Sequence, residues 1–252
     1  MNSLELLALN NFPLIEPGDD LPSIIFDSIL DNELIINDND IILLAQKIVS
    51  KAENRYVNLK TIEISNEAKD LSKELNKDEG LVQAIINESN RILSTKKNVI
   101  IVEHKLGFIN INAGIDLSNV PSEKFALLLP KNPKKSAKEI QKSLSKKLNK
   151  KISIIITDSM TRPYRSGVIN FALASHNIQS LVDLKGFKDI YGKKLKGTEV
   201  AVADELASAS GLLMGQSNEK KPVVLIKGFK QDSNVTNDAF DLIVNEHEDL
   251  YR

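Results

Sequence analysis

Two apolar runs, Asp40 to Ala45 and Ile152 to Ile156, constrain this chain more than any other feature. After Asp40 the first run carries no polar side chain, and Ser153 alone interrupts the second. Both have strand length. The first reads as a strand buried on both faces of its sheet, because a half-exposed strand would alternate with polar residues. Both are far too short to cross a bilayer. Around them, 252 residues at 42% hydrophobic content suffice for one large domain or two small ones. Residues 1–252 are read as a single domain, with a composition shift near Lys150 as a candidate internal boundary.

The remaining pattern mixes helices and strands without regular alternation, which points to an α+β fold of mixed sheets with packed helices rather than a doubly wound one. Leu4 to Asn11 reads as an opening strand. Pro17-Gly18-Asp19-Asp20 turns into a helix near Leu21 to Leu30, with Ile24, Ile25, Ile29 and Leu30 as its buried stripe. Ser65 and Asp78 can cap two further helices. In the second of these, Leu81, Val82, Ile85, Ile86 and Leu93 keep helical spacing. Val99 to Glu103 and Phe108 to Ile111 pair around Gly107, and Phe125 to Leu129 forms another strand. Asn132-Pro133 opens a basic helix whose buried face is Ala137, Ile140, Leu144 and Leu148; its lysines form a solvated face. The second run ends at Thr157-Asp158-Ser159, and an irregular stretch rich in glycine follows it. A helix near Val202 to Met214 and a strand at Val223 to Ile226 come after it.

Composition excludes several functions. With 33 basic against 34 acidic residues, nothing pulls the whole chain toward nucleic acid or an anionic membrane, so any phosphate binding is local. The absence of cysteine removes disulfides, zinc–thiolate sites and cysteine nucleophiles, and fits a cytoplasmic address. Met1-Asn2-Ser3-Leu4-Glu5 lacks the basic and apolar regions of a signal peptide. His104, His176 and His247 have no metal-ligand spacing and read as surface or structural residues. No phosphate-binding glycine loop, dinucleotide fingerprint or serine elbow is present.

Four segments can carry chemistry. In Asn112-Ala113-Gly114-Ile115-Asp116-Leu117-Ser118-Asn119, a small-residue loop follows a strand, and Asp116 could bridge a hard cation to phosphate. Alternatively Asp116 and Asn119 simply bond their own backbone in a turn. In Thr157-Asp158-Ser159-Met160-Thr161-Arg162-Pro163-Tyr164-Arg165, an acid and a hydroxyl suited to a metal precede two arginines suited to phosphate or carboxylate. These residues follow a core strand, where ligands collect in open sheets. Asp204 and Glu205 either reach a cation or, the stronger reading, start a helix as dipole-favoured acids; Gly215 and Gln216 end that helix and could touch a ligand. Gln46, Lys47 and Lys51 follow the first buried strand, where lysines can meet phosphates as mobile charges.

Taken in order, the motifs Pro17-Gly18-Asp19-Asp20-Leu21, Val49-Ser50-Lys51-Ala52-Glu53, Asn112-Ala113-Gly114-Ile115-Asp116, Ile155-Ile156-Thr157-Asp158, Arg162-Pro163, Asp189-Ile190-Tyr191-Gly192, Val202-Ala203-Asp204-Glu205 and Leu213-Met214-Gly215 make the chain resemble the coenzyme F420-0:glutamate ligase family along nearly its whole length. The resemblance implies an α+β fold of two intimately joined subdomains in an intertwined homodimer. It implies a GTP-dependent ligase that joins L-glutamate to a carboxylate acceptor, coenzyme F420-0, through an acyl phosphate. Two divalent ions, magnesium or manganese, are implied with it, and potassium is a further candidate ion.

Carried onto this sequence, the resemblance assigns metal binding to Asp116, Asp158, Ser159 and Gln216. It places Phe12, Pro13, Leu14, Ile15, Gln46, Lys47, Lys51, Asn119, Met214, Gly215 and Gln216 at the nucleotide. Asp158, Arg162 and Arg165 are the catalytic set. Partners are small molecules (glutamate and a deazaflavin or folate-type acceptor), with neither nucleic acid nor membrane. The sequence departs from the family at three places. Gln216 stands where some members carry an acidic ligand, Met160-Thr161 replaces a glycine-containing pair, and Ser166 replaces an arginine. A folate-type acceptor, or a nucleotide-binding homologue without catalysis, is the alternative.

Overall fold

The structure, a computed structural model, describes residues 3–231 and 237–250. Met1 and Asn2, part of the stretch read as lacking a signal peptide, lie outside them. In chain order the elements are β1 (Glu5–Ala8), α1 (Leu21–Asp31), β2 (Ile41–Ala45), α2 (Gln46–Ala52), β3 (Tyr56–Asn58), α3 (Asn66–Leu75), α4 (Glu79–Asn87), β4 (Ser89–Lys96), β5 (Val99–His104), β6 (Ile109–Ile111) and β7 (Phe125–Leu127). Then follow α5 (Pro133–Leu148), β8 (Ser153–Arg162), β9 (Arg165–His176), β10 (Val182–Asp183), β11 (Glu199–Val200), α6 (Val202–Met214) and β12 (Val223–Lys227). The result is an α+β fold with mixed sheets.

The two apolar runs become neighbours at the centre. The main sheet runs β1-β12-β2-β8-β9, and β2 lies parallel to β8 in the register Ile41↔Ser153 to Ala45↔Thr157. The other neighbours are antiparallel. Successive side chains point to opposite faces of a strand. Ile42, Leu44, Ile154 and Ile156 therefore join one core with Ile25 and Ile29 of α1 and Ala137, Ile140 and Leu144 of α5. Ile41, Leu43 and Ile155 join a second core with Val202, Ala203, Leu206 and Ala207 of α6. Helices thus cover both faces, as the unbroken apolar run requires.

Everything from α2 to α5 lies between the two parallel strands in the chain. Part of it builds a third core from Leu75, Val82, Ile85, Ile100, Val102 and Ala126. Position 150 falls between α5 and β8, which line the first core together.

The caps at Asp20, Ser65, Asp78 and Asn132 form: each side chain accepts a backbone N–H of its helix's first turn. The lysines of α5 at 134, 135, 138, 142, 146 and 147 are exposed. Several expectations need correcting. Leu93 does not continue a helix; α4 ends at Asn87, and Leu93 sits on β4 at the register shift between Ile92 and Ser94. Leu30 is 57% exposed rather than part of the stripe on α1, where Leu21 and Ser28 are buried instead. The opening strand is shorter than Leu4 to Asn11.

The largest correction follows Ile156. β8 continues to Arg162 and turns through Pro163-Tyr164 into β9, so the irregular stretch begins only after His176, where it carries Gly186, Gly192 and Gly197. Beyond Thr157, β8 has lost β2 as a partner and pairs with β9 alone. A two-stranded arm needs backbone partners more than apolar side chains, so it tolerates Ser, Thr, Arg and Gly. A register shift between Ile156 and Thr157 marks where it leaves the sheet.

Candidate active site

A cleft of about 560 Å³ opens where β2 runs into α2 and β8 parts from it. The backbone at Ala45 explains the first wall: Ala45 is still extended (φ −61°, ψ 132°) and Gln46 is already helical. 
The strand hands over to the helix without a loop, which sets Gln46, Lys47 and Lys51 beside the end of the parallel pair. The Phe12 to Ile15 segment forms a rim, with Phe12 and Ile15 buried and Leu14 72% exposed. Asp116, Ser118 and Asn119 come from the loop after β6, Asp158 and Ser159 from β8, and Met214, Gly215 and Gln216 from the end of α6. Each residue assigned to the nucleotide or the metals therefore lines one cleft. Arg162 and Arg165 do not; they face each other across the far end of the hairpin.

Asp116 is held by its backbone and aimed by its side chain. Asn112 and Ala113 adopt left-handed conformations (φ 52° and 54°), which turn the chain after β6. Asp116 then exchanges two backbone hydrogen bonds of 2.9 Å with Leu127. Its carboxylate does not fold back on its own backbone. It accepts from Gln46 Nε2 at 3.2 Å and Ser118 Oγ at 3.3 Å, and pairs with Lys47 Nζ at 3.1 Å. Lys47 also donates to Ser118 Oγ at 3.1 Å. Gln46 is itself oriented: Ser50 Oγ donates to its Oε1 at 2.8 Å, which leaves the NH₂ for the carboxylates.

Asp158 shares this charge cluster. Burial, and then the neighbouring Asp116 carboxylate, push its pKa from the ordinary 3.8 to about 7, against the opposing pull of the Ser159 N–H, Lys47 and Gln46. Lys51 shifts the other way: burial, and then Lys47, lower it. Two carboxylates that resist joint ionisation and two lysines that repel each other thus share one cleft. A divalent cation would relieve the first conflict and a polyanion the second.

The donor set fits such a cation. Carboxylate, hydroxyl and amide oxygens at Asp116, Asp158, Ser159 and Gln216 are hard ligands suited to magnesium or manganese. Among the described residues no three His, Cys, Asp or Glu side chains gather into a metal-binding group. A two-carboxylate site matches magnesium bound jointly by protein and phosphate rather than by an all-protein cage.

Sequence reasoning missed Asn170, Glu219, Lys220 and Lys221, which also line the cleft. Asn170 had no local signal; it enters because the hairpin register sets it opposite Ser159. Asp204 goes elsewhere. It accepts the Ala172 N–H at 2.8 Å and lines a smaller second cleft, with burial raising its pKa.

Fold and cleft together define an α+β protein with a two-carboxylate, lysine-flanked cleft suited to a polyanion and a hard cation. The family description F420-0:Gamma-glutamyl ligase matches residues 10–228. Among similar proteins, the coenzyme F420:L-glutamate ligase of Methanothermobacter thermautotrophicus is 38% identical over 226 residues, covering 90% of this chain and 89% of the relative. That of Methanocaldococcus jannaschii is 42% identical over 220 residues, with 86% of each covered. That of Archaeoglobus fulgidus is 33% identical over 251 residues, covering 99% and 96%. The chain belongs to the F420-0:gamma-glutamyl ligase family. Among the described residues no helix is long and apolar enough to cross a membrane.

Proposed function

We propose that this chain is a GTP-dependent ligase that forms an amide between L-glutamate and a carboxylate acceptor, coenzyme F420-0. The observation that carries the reading is the convergence of Asp116 and Asp158, from distant parts of the chain, on one cleft with Lys47 and Lys51. The names of the similar ligases support the acceptor and the amino acid.

A carboxylate resists amines until its oxygen becomes a good leaving group. In the first step an acceptor carboxylate oxygen attacks the γ-phosphorus; the bond to the β-bridging oxygen breaks, and GDP leaves. In the second, the free α-amine of glutamate attacks the acyl carbon, and phosphate departs with the former carboxylate oxygen. Two divalent ions, magnesium or manganese, would supply neutralisation of charge on the transferring group. Asp116, Asp158, Ser159 and Gln216 would hold them. Lys47 and Lys51 bind phosphate oxygens, and Gln46 keeps its donors on the carboxylates. Arg162 and Arg165 serve anion recognition from the hairpin, outside the wall of the cleft. The working unit is an intertwined homodimer of two-subdomain chains in the cytoplasm.

Purified protein should release phosphate only when GTP, divalent metal, glutamate and acceptor are all present. Mass spectrometry of deazaflavin and folate acceptors should find added glutamate on the deazaflavin. Glutamate on folate alone would replace the acceptor. Phosphate release with water alone would replace the ligase by a phosphohydrolase, and tight nucleotide binding without turnover would leave a binding protein.

A further inference from the structure

Where β9 meets the end of α6, the cleft carries a directed chain of neutral hydrogen bonds. Asn170 on β9 lines the cleft but is only 6% exposed. Its backbone C=O accepts from Ser208 Oγ of α6 at 2.7 Å. One turn further along that helix, Gly211 lies so close that a Cβ there would meet Asn170 Cγ at 2.8 Å and Oδ1 at 2.9 Å. The carboxamide also has a direction. Its Nδ2 faces Met214 Sδ at 3.9 Å, an atom with no proton to give. Its Oδ1 therefore faces Gln216 and accepts from Nε2 at 2.8 Å.

An amide anchored through its nitrogen presents its oxygen to the other side. Gln216 is exposed at the cleft. Within that side chain only Oε1 can ligate a hard cation, because the NH₂ group offers donors only. Turned over, Gln216 would aim those donors at the cation.

We propose that Asn170 is a positioning residue, which fixes the Gln216 carboxamide so that Oε1 faces the cleft as a ligand of the second divalent cation. This rests on the reading of Gln216 as a metal ligand. It also explains how a neutral residue can serve where an acid would ligate in either orientation: a carboxylate has two equivalent oxygens and needs no such anchor.

The test is Mn²⁺ binding to the full-length protein, followed by electron paramagnetic resonance with a non-hydrolysable GTP analogue present. The wild type should take up two ions. Asn170→Leu, which is nearly isosteric, and Asn170→Ala, which cannot clash, should each weaken the second ion about tenfold, the usual cost of losing an outer-shell partner. Gln216→Ala should weaken it at least as much. Gln216→Glu placed in the Asn170→Leu background should restore it, an outcome that mere loss of packing would not produce. Wild-type affinity in both Asn170 variants, or no restoration by Gln216→Glu, overturns the positioning role alone. A single ion in the wild type, or no effect of Gln216→Ala, overturns the metal-site reading and the inference with it.

Discussion

The two walls of the cleft solve one problem with opposite chemistry. On the β2–α2 side, charges hold each other: Lys47 pairs with Asp116, and Gln46 donates to the same carboxylate. On the β9–α6 side one chain of side-chain contacts is neutral, running from Met214 through Asn170 to Gln216. A charged wall is responsive, because each ligand that enters must replace an internal partner. A neutral wall is fixed, because Asn170 is bonded at its backbone C=O and on both sides of its carboxamide. The charged wall should therefore govern affinity and rate, with strong salt and pH dependence, and the neutral wall should govern geometry.

The sharpest way to break this contrast is Asp158→Asn. It removes a negative charge from the charged wall at constant shape. Turnover should fall by about a thousandfold or more, since charge stabilisation during transfer supplies several kcal/mol. The protein should stay folded and, without metal, become less sensitive to pH. The folded pKa of Asp158 is about 7 against an ordinary 3.8, so the unfolded chain loses this proton first. The stability it contributes is complete below pH ~4 and is lost as pH rises toward 7. His104 works in the opposite sense, its pKa lowered to about 4 by burial and then by Lys105 and Arg55. The informative quantity is thus the difference between wild type and Asp158→Asn in thermal midpoint from pH 4 to 8. That difference should shift in the variant's favour as pH rises, and Mn²⁺ with a GTP analogue should cancel it. Near-normal turnover in the variant would remove Asp158 from the chemistry.

Next in size is Lys47→Met. The ammonium now occupies the position of a counter-ion to Asp116, so it must move when a cation arrives. Without nucleotide, Mn²⁺ should bind the variant as tightly as wild type or more tightly. With nucleotide, affinity for the GTP analogue should drop about tenfold or more, and salt should weaken the variant's binding less steeply. Calorimetry of the two ligands separately checks both signs. Weaker Mn²⁺ binding without nucleotide would mean that Lys47 orders Asp116 rather than competing for it.

The same division explains what could be read from the sequence. The central strands, their covering helices and the caps at Ser65, Asp78 and Asn132 were legible because burial and capping leave local patterns; Asp20 was read only as part of a turn. The charged wall was legible too, since Gln46 and Lys47 follow one core strand directly, Asp158 and Ser159 continue another, and Asp116 sits in a small-residue loop after a third strand. Asn170 was not. Its partners lie at 208, 211, 214 and 216, and only the register of a polar hairpin brings it opposite Ser159. That hairpin was itself read as irregular, because a two-stranded arm outside the core needs no apolar alternation. Leu93 failed for a related reason: an apolar residue at helical spacing can belong to a helix or to a strand, and the pairing of β4 with β5 on either side of it decides.

The smallest effect distinguishes stability from geometry on the neutral wall. Gly211 lies inside α6, where alanine is favoured over glycine by roughly 1 kcal/mol. Gly211→Ala should therefore raise the thermal midpoint slightly if nothing opposed it. Its new methyl would sit 2.8 Å from Asn170 Cγ, and Asn170 is also tied by its backbone to Ser208. The carboxamide must yield, and with it the anchor of Gln216. We expect little net change in the melting midpoint, together with about a threefold loss in affinity for the second Mn²⁺. That loss should be absent when Gln216→Glu is added, because a carboxylate ligates without the anchor. A stabilised Gly211→Ala protein that keeps full Mn²⁺ affinity would show that the packing of Asn170 and the orientation of Gln216 are independent.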